Sequence, residues 1–584
     1  MRSILSVEHS QPRCLRLPSK HPMIPIAILT VSTVLVCLKD SGKFRGKEMV
    51  IRKSPAYAIL TALICTVVLV FAAPVLTQSQ PSSASSPAGA DASTGSAEPE
   101  RRTHQFSRQW LLEHARSLAE QPFELPALDE DNPLNELNYD EYRRISFDPY
   151  AAIWARQDRN FTLDLFHPGF LYTTPVNINL VVGGVSRQVL YTTDIFRYEE
   201  GISDVQNFDA QGYSGFRVYH PINTPDRFEE FLVFQGASYF RGTAKDQFYG
   251  LSARGLAINT ARPEGEEFPY FTDFWIERPE VGAEKIVIHA LLDSPSTTGA
   301  FRFDIRPGDS TVMDVEASLF PREEMTHYGI APLTSMFMFD DTNRSRYDDY
   351  RRAVHDSDGL QIMMQNGEQI WRPLANPRRL QSSSFVSSAS SSVKGFGLMQ
   401  RHNQFEDFND SEARYDKRTS LWIEPLENWG VGEVVLVEIP TPQEVHDNIV
   451  AYWQPEDSLQ PGNQYDYRYR MHWGPVGPYE LEVGRITDTS RGQSINGDDM
   501  VFVIDYAGGD TIPNVITDTD AVEIRVTNSA GTVINTSGTL VQATGQYRAF
   551  IRIDPGRADL IELRATLHVN GKQWGETWIY RWTQ

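Results

Sequence analysis

The chain has 584 residues and a formal net charge of −22, with 41% hydrophobic, 11% aromatic and 22% charged residues. That length exceeds one ordinary core, and the apolar share excludes a mostly disordered chain. The acidic surplus argues against nucleic acid and anionic membrane surfaces as partners, because phosphate would be repelled, whereas a neutral polymer such as a sugar chain meets no such penalty.

Residues 1–77 run against this balance, with ten Lys/Arg and three Asp/Glu for a net +7, which leaves −29 on the remainder. Cys14, Cys37 and Cys65, the only cysteines, also lie there. The rest of the chain therefore has no disulfide or thiol chemistry, and an oxidising compartment is permitted without being required. A first apolar run, Met23 to Leu38 between Lys20 and Lys39, is short for a spanning helix. Residues 1–48 are read as an extension, either upstream of a true start at Met49 or part of a membrane hairpin or anchor. Residues 49–77 read as a Sec-type signal peptide: Arg52 and Lys53, an apolar run from Ala56 to Ala73, then Val70-Phe71-Ala72 with small residues for cleavage. No twin-arginine pair is present there. Residues 78–103, rich in Ser, Ala and Pro, form a flexible linker without periodicity.

Phe106, Trp110, Leu111, Ala115 and Leu118 recur at helical spacing and predict one amphipathic helix. Beyond about Asp148 the texture changes to short alternating runs, such as Asn177 to Val182, Phe231 to Phe234 and Lys285 to His289, separated by Gly, Pro, Asn and Asp. Many short strands with regular turn signals predict an all-β fold, with a large β-sandwich over 104–453. Residues 454–464 read as a linker. Residues 465–584 read as a smaller immunoglobulin-like β-sandwich, whose clearest element is the hairpin signal Asn570-Gly571 between Ile561–Val569 and a run through Trp578, Tyr580 and Trp582.

Several segments resemble the periplasmic glucans biosynthesis protein G and D family, also called osmoregulated periplasmic glucan proteins. They include Glu266-Glu267-Phe268-Pro269 running into Phe274-Trp275-Ile276-Glu277-Arg278-Pro279, then Ala290 to Pro295, Ala331 to Phe337, His355-Asp356-Ser357-Asp358-Gly359-Leu360, Asn366-Gly367-Glu368, Ile370 to Leu374, Gly397 to Arg401 and Asp447 to Trp453. The resemblance extends from about Phe106 onward and implies a large β-sandwich followed by a small immunoglobulin-like domain. It also implies a periplasmic location, a β-1,2-linked glucan as partner, and endolytic, inverting cleavage of that glucan. The chain departs from the family pattern in residues 1–48 and in the serine-rich Ser382–Ser392 insertion, which is read as a loop.

Inverting glycoside hydrolysis needs one carboxyl to protonate the leaving oxygen and a second, set apart from it, to activate water. By its position in the motif, Asp356 matches the residue the family uses as general acid; the same turn also suits an Asx turn before Gly359. Asp273 is the expected second carboxylate, with Glu277 as substitute. On an alternating strand Asp273, Trp275 and Glu277 share one face, toward a groove or equally toward solvent. Trp275, Trp371 and Trp422 are the expected sugar platforms, although large aromatics also dominate sheet cores. Arg372 and Arg401 are expected to donate to sugar hydroxyls or hold a carboxylate, or else to form ordinary ion pairs. The histidines show no paired ligand spacing, and the acidic clusters Asp348-Asp349 and Asp407 with Asp410 lack a calcium loop's order, so neither metal nor cofactor is expected.

Two further readings stay open. One is a non-catalytic glucan-binding or scaffold protein, serving a membrane glucan synthase or branching enzymes. The other is epimerase or lyase chemistry on another polysaccharide.

Overall fold

The computed structural model describes residues 102–584 apart from 203–204, 206, 209, 389–390, 480–483, 496, 498 and 508–520. The expected extension 1–48, signal 49–77 and most of the 78–103 linker lie outside the described residues. Among these, no helix is long and apolar enough to cross a membrane.

The fold is all-β, as expected. Two sheets carry the larger body. The longer sheet runs from Thr103–Gln105 through Tyr270–Glu277, Ile286–Asp293, Thr297–Arg306 and Thr311–Pro321 to Gly359–Met364 and Gln369–Pro373. The shorter one includes Thr162–Phe166, Gly215–Thr224, Arg227–Gln235, Tyr239–Gly242, Ser252–Arg254, Tyr328–Ser335 and Ile449–Pro455. Their facing sides share one core, because alternate residues on each strand are apolar. Phe234 of the shorter sheet lies 5.3 Å from Phe216, 5.1 Å from Phe240, 5.4 Å from Phe274 and 5.3 Å from Phe303, the last two on the longer sheet.

The predicted helix forms at Arg108–Ala119 behind the N-cap Ser107, whose hydroxyl accepts from the Trp110 amide at 3.1 Å. Its buried Leu111 and Ala115 pack with Trp275, Leu291, Ala300 and Phe320 against the outer face of the longer sheet. Thr103–Gln105 pairs with Val185–Gln188, so the sheet begins within the expected linker.

Two boundaries differ from the sequence reading. Tyr465–Gly474, expected to open the smaller module, pairs instead with Thr311–Pro321 on one side and Ser420–Pro425 on the other, deep in the longer sheet. Nor is 454–464 a free linker, since Leu459 is buried and bridges Met325. The Pro-Gly punctuation there marks a turn between two strands of one sheet.

From Arg485 the smaller module stacks Arg485–Gln493, Met500–Ala507, Gln546–Asp554 and Thr532–Val541 against Val522–Asn528, Leu560–Val569 and Thr577–Thr583. Alternation along Leu560–Val569 buries Ile561, Leu563, Ala565, Leu567 and Val569. Asn570 and Gly571 turn the chain with φ of +50° and +78°, so that Val569 faces Lys572. Thr577–Thr583 also pairs in parallel with Gln369–Pro373, which continues the longer sheet into the smaller module. The serine run expected as a loop is an edge strand, Gln381–Ser387, paired with Gly432–Glu438. Its polar outer side suits an edge, which must not invite further pairing.

Buried His167 holds a fixed tautomer: Nδ1–H donates to the Pro168 carbonyl at 2.6 Å, and Nε2 accepts from the Tyr191 hydroxyl at 2.9 Å. Burial lowers its pKa from 6.5 to about 4, despite the carbonyl's opposing pull. The unfolded chain takes up a proton below pH 6.5 that the folded chain refuses. The histidine's contribution is therefore complete above pH 6.5 and is lost as pH falls toward 4, by up to about 3 kcal/mol. Urea unfolding across this window should lose stability more steeply in the parent than in His167→Gln; equal slopes would show that the ring titrates normally.

Candidate functional site

Asp273, Trp275 and Glu277 share one strand face, as the alternation predicts, but it is the outer face of the longer sheet beneath the N-terminal helix. Trp275 is stacked on Phe106 at 5.3 Å and meets the edge of Trp110 at 5.5 Å. Glu277 accepts from His289 Nε2 at 2.8 Å. Burial pushes the Asp273 carboxyl up, while hydrogen bonds with Thr272 and Asn177 pull it down. Asp356 lies just before Gly359–Met364, seven strand spacings along the same sheet from Tyr270–Glu277. Those spacings make a path of roughly 34 Å along the sheet, against a separation of about 6.5–9.5 Å between the carboxyls of an inverting pair. Asp273, Trp275 and Glu277 thus belong to the helix-covered face, seven strands from the one that Asp356 precedes.

The other expected ligand contacts are also structural. Trp371 is buried, with the Arg401 guanidinium 3.4 Å from its ring centroid. Its opposite contact explains Gly359, where a Cβ would stand 2.4 Å from the indole. Trp422 is buried beside Gly395 and Tyr479. Arg372 is 1% exposed and pairs with Glu438 at 2.8 Å. Arg401 grips Glu576 of the smaller module with two hydrogen bonds of 2.8 Å. All three rings and both guanidinium groups are thus occupied in packing.

A cleft lies instead on the outer face of the shorter sheet, lined by Phe166, Tyr172, Arg217, Glu230, Tyr239 and Arg241 among others. Strand alternation creates it: Phe216 and Val218 point into the core, so Arg217 and Tyr219 point out. Arg217 lies 3.2 Å from Asp164 and 3.1 Å from Glu230. Arg254, 4.8 Å from the Tyr239 ring centroid, supports that ring and pairs with Glu266 at 2.5 Å. Arg241 stands 3.7 Å from Asp447. These residues escaped the sequence reading because charged positions alternating with phenylalanine are ordinary in strands. The usable signal was the mixture of Arg, Glu and Tyr on one alternation of adjacent strands.

Asp356 is one residue removed from this cleft, linked to it through Arg418. Its amide donates to the Met336 carbonyl at 2.9 Å, and on the other side of the same segment the Asn448 amide donates to the Ser335 carbonyl at 3.0 Å. Asp356 and Asp447 thus flank Ser335–Phe337 on neighbouring chains, two strand spacings or roughly 10 Å apart at the backbone. Arg418 connects Asp356 to the cleft: its Nε lies 3.5 Å from the carboxylate, and its Nη1 donates to the carbonyl of Tyr249, a cleft residue, at 2.5 Å.

Behind Asp356 lies a polar knot. Asp358 accepts from His402 Nδ1 at 2.5 Å and from the His402 amide at 2.8 Å. Burial pushes the Asp358 carboxyl up, but the two neighbouring histidines and these donors hold it well below the usual carboxylate range. Burial alone would lower His402; Asp358 instead lifts it to about 10. Nearby, burial pushes Asp340 up to about 7 despite hydrogen bonds from Thr342.

With this geometry in place, similarity to known proteins can be stated. A family model described as "Periplasmic glucan biosynthesis protein, MdoG" matches residues 106–582. The chain is 44% identical over 492 residues to glucans biosynthesis protein G of Shewanella frigidimarina, covering 82% of this chain and 85% of that one. It is 44% identical over 487 residues to the protein of that name in Vibrio cholerae O395, covering 82% and 88%. With the Rhodopseudomonas palustris protein of that name the figures are 46% over 470 residues, covering 80% and 92%.

A core role for Trp275 has a measurable consequence. Trp275→Ala should cost about 3–5 kcal/mol in chemical unfolding. A loss below about 1 kcal/mol, within the range of surface changes, would instead return the indole to the solvent face.

Proposed function

This chain belongs to the periplasmic glucan biosynthesis protein family described as MdoG, and from that premise we propose that it binds a β-1,2-linked glucan across the shorter sheet and cleaves it there with inversion. The observation that supports the proposal is that Asp356 and Asp447 lie on either side of Ser335–Phe337, Asp447 beside the cleft residue Arg241 and Asp356 beside Arg418, which bonds the cleft residue Tyr249. Asp356 gives its proton to the glycosidic oxygen as the bond to the anomeric carbon breaks. A water attacks that carbon from the opposite face and yields its proton to Asp447, the roughly 10 Å between backbones leaving room for the water. Phe166, Tyr172 and Tyr239 offer apolar ring faces to the sugar, and Arg217, Arg241 and Glu230 offer donors and acceptors to its hydroxyls. The substrate is neutral, so the acidic body does not repel it. Export to the periplasm through residues 49–77 and cooperation with a membrane glucan synthase or branching enzymes belong to the same proposal.

A second reading, binding without cleavage, is favoured by one observation. Asp356 is only 5% exposed, with its Oδ1 buried beside Arg418, so a sugar oxygen reaches it only with local movement. In that case the protein presents glucan to other enzymes.

Linear β-1,2-glucan separates the two. Cleavage predicts short oligosaccharides with an inverted anomeric configuration in the first product, read by NMR. Asp356→Asn should then cut the rate by about 10²–10⁴-fold while sparing affinity, and Arg217→Ala should weaken binding. Tight binding by a hydrolytically silent parent protein would establish the second reading, and undiminished hydrolysis by Asp356→Asn would remove Asp356 from the reaction.

A further inference from the structure

We propose that His355, Asp358 and His402 form a site for one zinc ion, which fastens the turn carrying Asp356 to the segment that follows Val393–Met399. The three ligand atoms lie within 4.8 Å of one another. Spacing alone would be weak support, since a histidine beside a carboxylate is an ordinary ion pair. The decisive observation is the buried, unpartnered Nε2 of His355.

The Gln400 amide is oriented by two backbone carbonyls: its Nε2 donates to His355 O at 3.0 Å and to Tyr415 O at 3.1 Å. Its Oε1 therefore faces His355 Nδ1, at 3.0 Å. An amide oxygen only accepts, so Nδ1 carries a ring proton and Nε2 is the ring atom left to meet a cation. Nε2 is fully buried, has no hydrogen-bond partner, and faces Asp358 Oδ1 at 3.4 Å. A buried imidazole nitrogen without a hydrogen-bond partner thus lies beside a carboxylate oxygen, with Phe337 stacked on the imidazole at 5.3 Å and Phe408 against it edge-on at 5.0 Å.

A cation between them would give both atoms a partner. Ligands about 2.0–2.1 Å from a tetrahedral zinc stand roughly 3.3–3.4 Å apart, which is the observed Nε2 to Oδ1 separation. A ring whose second nitrogen donates to a fixed amide oxygen is also the usual setting of a metal-binding histidine. His402 Nδ1, at 2.5 Å from Oδ1, is too close for a tetrahedral edge and must draw back by just under 1 Å. Its side chain is 29% exposed and free to do so, and its Nε2 already lies 4.0 Å from Asp488, ready to serve as the outer partner. Zinc then replaces the Nδ1 proton, and a water entering from the exposed side of His402 takes the fourth position.

The test is independent of glucan chemistry. Chelator-stripped full-length protein should bind one zinc per chain by calorimetry, and Co²⁺ should give the visible bands of tetrahedral coordination without any substitution. His402→Gln, at a partly exposed position, should weaken zinc affinity at least tenfold while leaving the circular dichroism unchanged. Gln400→Leu, which leaves all three ligands in place, should weaken it by about 10–100-fold. Absence of the cobalt bands would overturn the proposal, as would equal zinc affinity in His402→Gln and the parent, which would place the ion on the acidic surface.

Discussion

The aromatic cluster around Phe234 fixes which way the central strands of the shorter sheet face. Pleating allows each strand one apolar side, so every phenylalanine drawn into the shared core commits its neighbours to the opposite surface. Phe216 places Arg217 outside, Phe234 places Val233 and Gln235 outside, and Phe240 places Tyr239 and Arg241 outside. Ring pairs of this kind contribute about 0.5–1.5 kcal/mol each beyond simple burial. A register slip of one residue would bury the cleft's arginines and expose its phenylalanines.

Charge inside the molecule serves alignment. Glu576 is fully buried and accepts from both terminal nitrogens of Arg401, from the Ile486 amide at 2.8 Å and from Gln361 at 3.3 Å. Buried pairs gain little over apolar packing but are costly to break, because the abandoned charge stays desolvated. This one connects the smaller module to the segment that also supplies His402. Arg372 with Glu438 plays the same part between the longer sheet and the Gly432–Glu438 strand of the shorter sheet.

Local features were legible in the sequence and long-range ones were not. Period and turn chemistry located the helix at Arg108–Ala119, the strand Asn177–Val182 and the Asn570-Gly571 turn, because each is decided by residues within a few positions. Alternation placed Asp273, Trp275 and Glu277 on one face but could not say what covers it. That depended on a helix some 160 residues earlier in the chain. Tryptophans looked like sugar platforms because an indole suits a cleft and a core equally, and only the packing of Phe106 and Arg401 distinguishes them. Tyr465–Gly474 was assigned across a false boundary because Pro and Gly mark a turn equally well inside a sheet or between domains. His355 and His402 are 47 positions apart, too far for spacing to connect them, and the orientation of a single glutamine amide sets the chemistry between them.

The parallel pairing of Gln369–Pro373 with Thr577–Thr583 joins positions 207 residues apart, Ile370 opposite Thr577. The longer sheet therefore keeps an open flank until Thr577–Thr583 is in place. Gln369–Pro373 is buried along its whole length in the finished fold. A chain interrupted before residue 577 presents this strand as an unpaired, largely apolar edge, which is the geometry that recruits other chains. In the finished fold the smaller module covers that edge with its own strand.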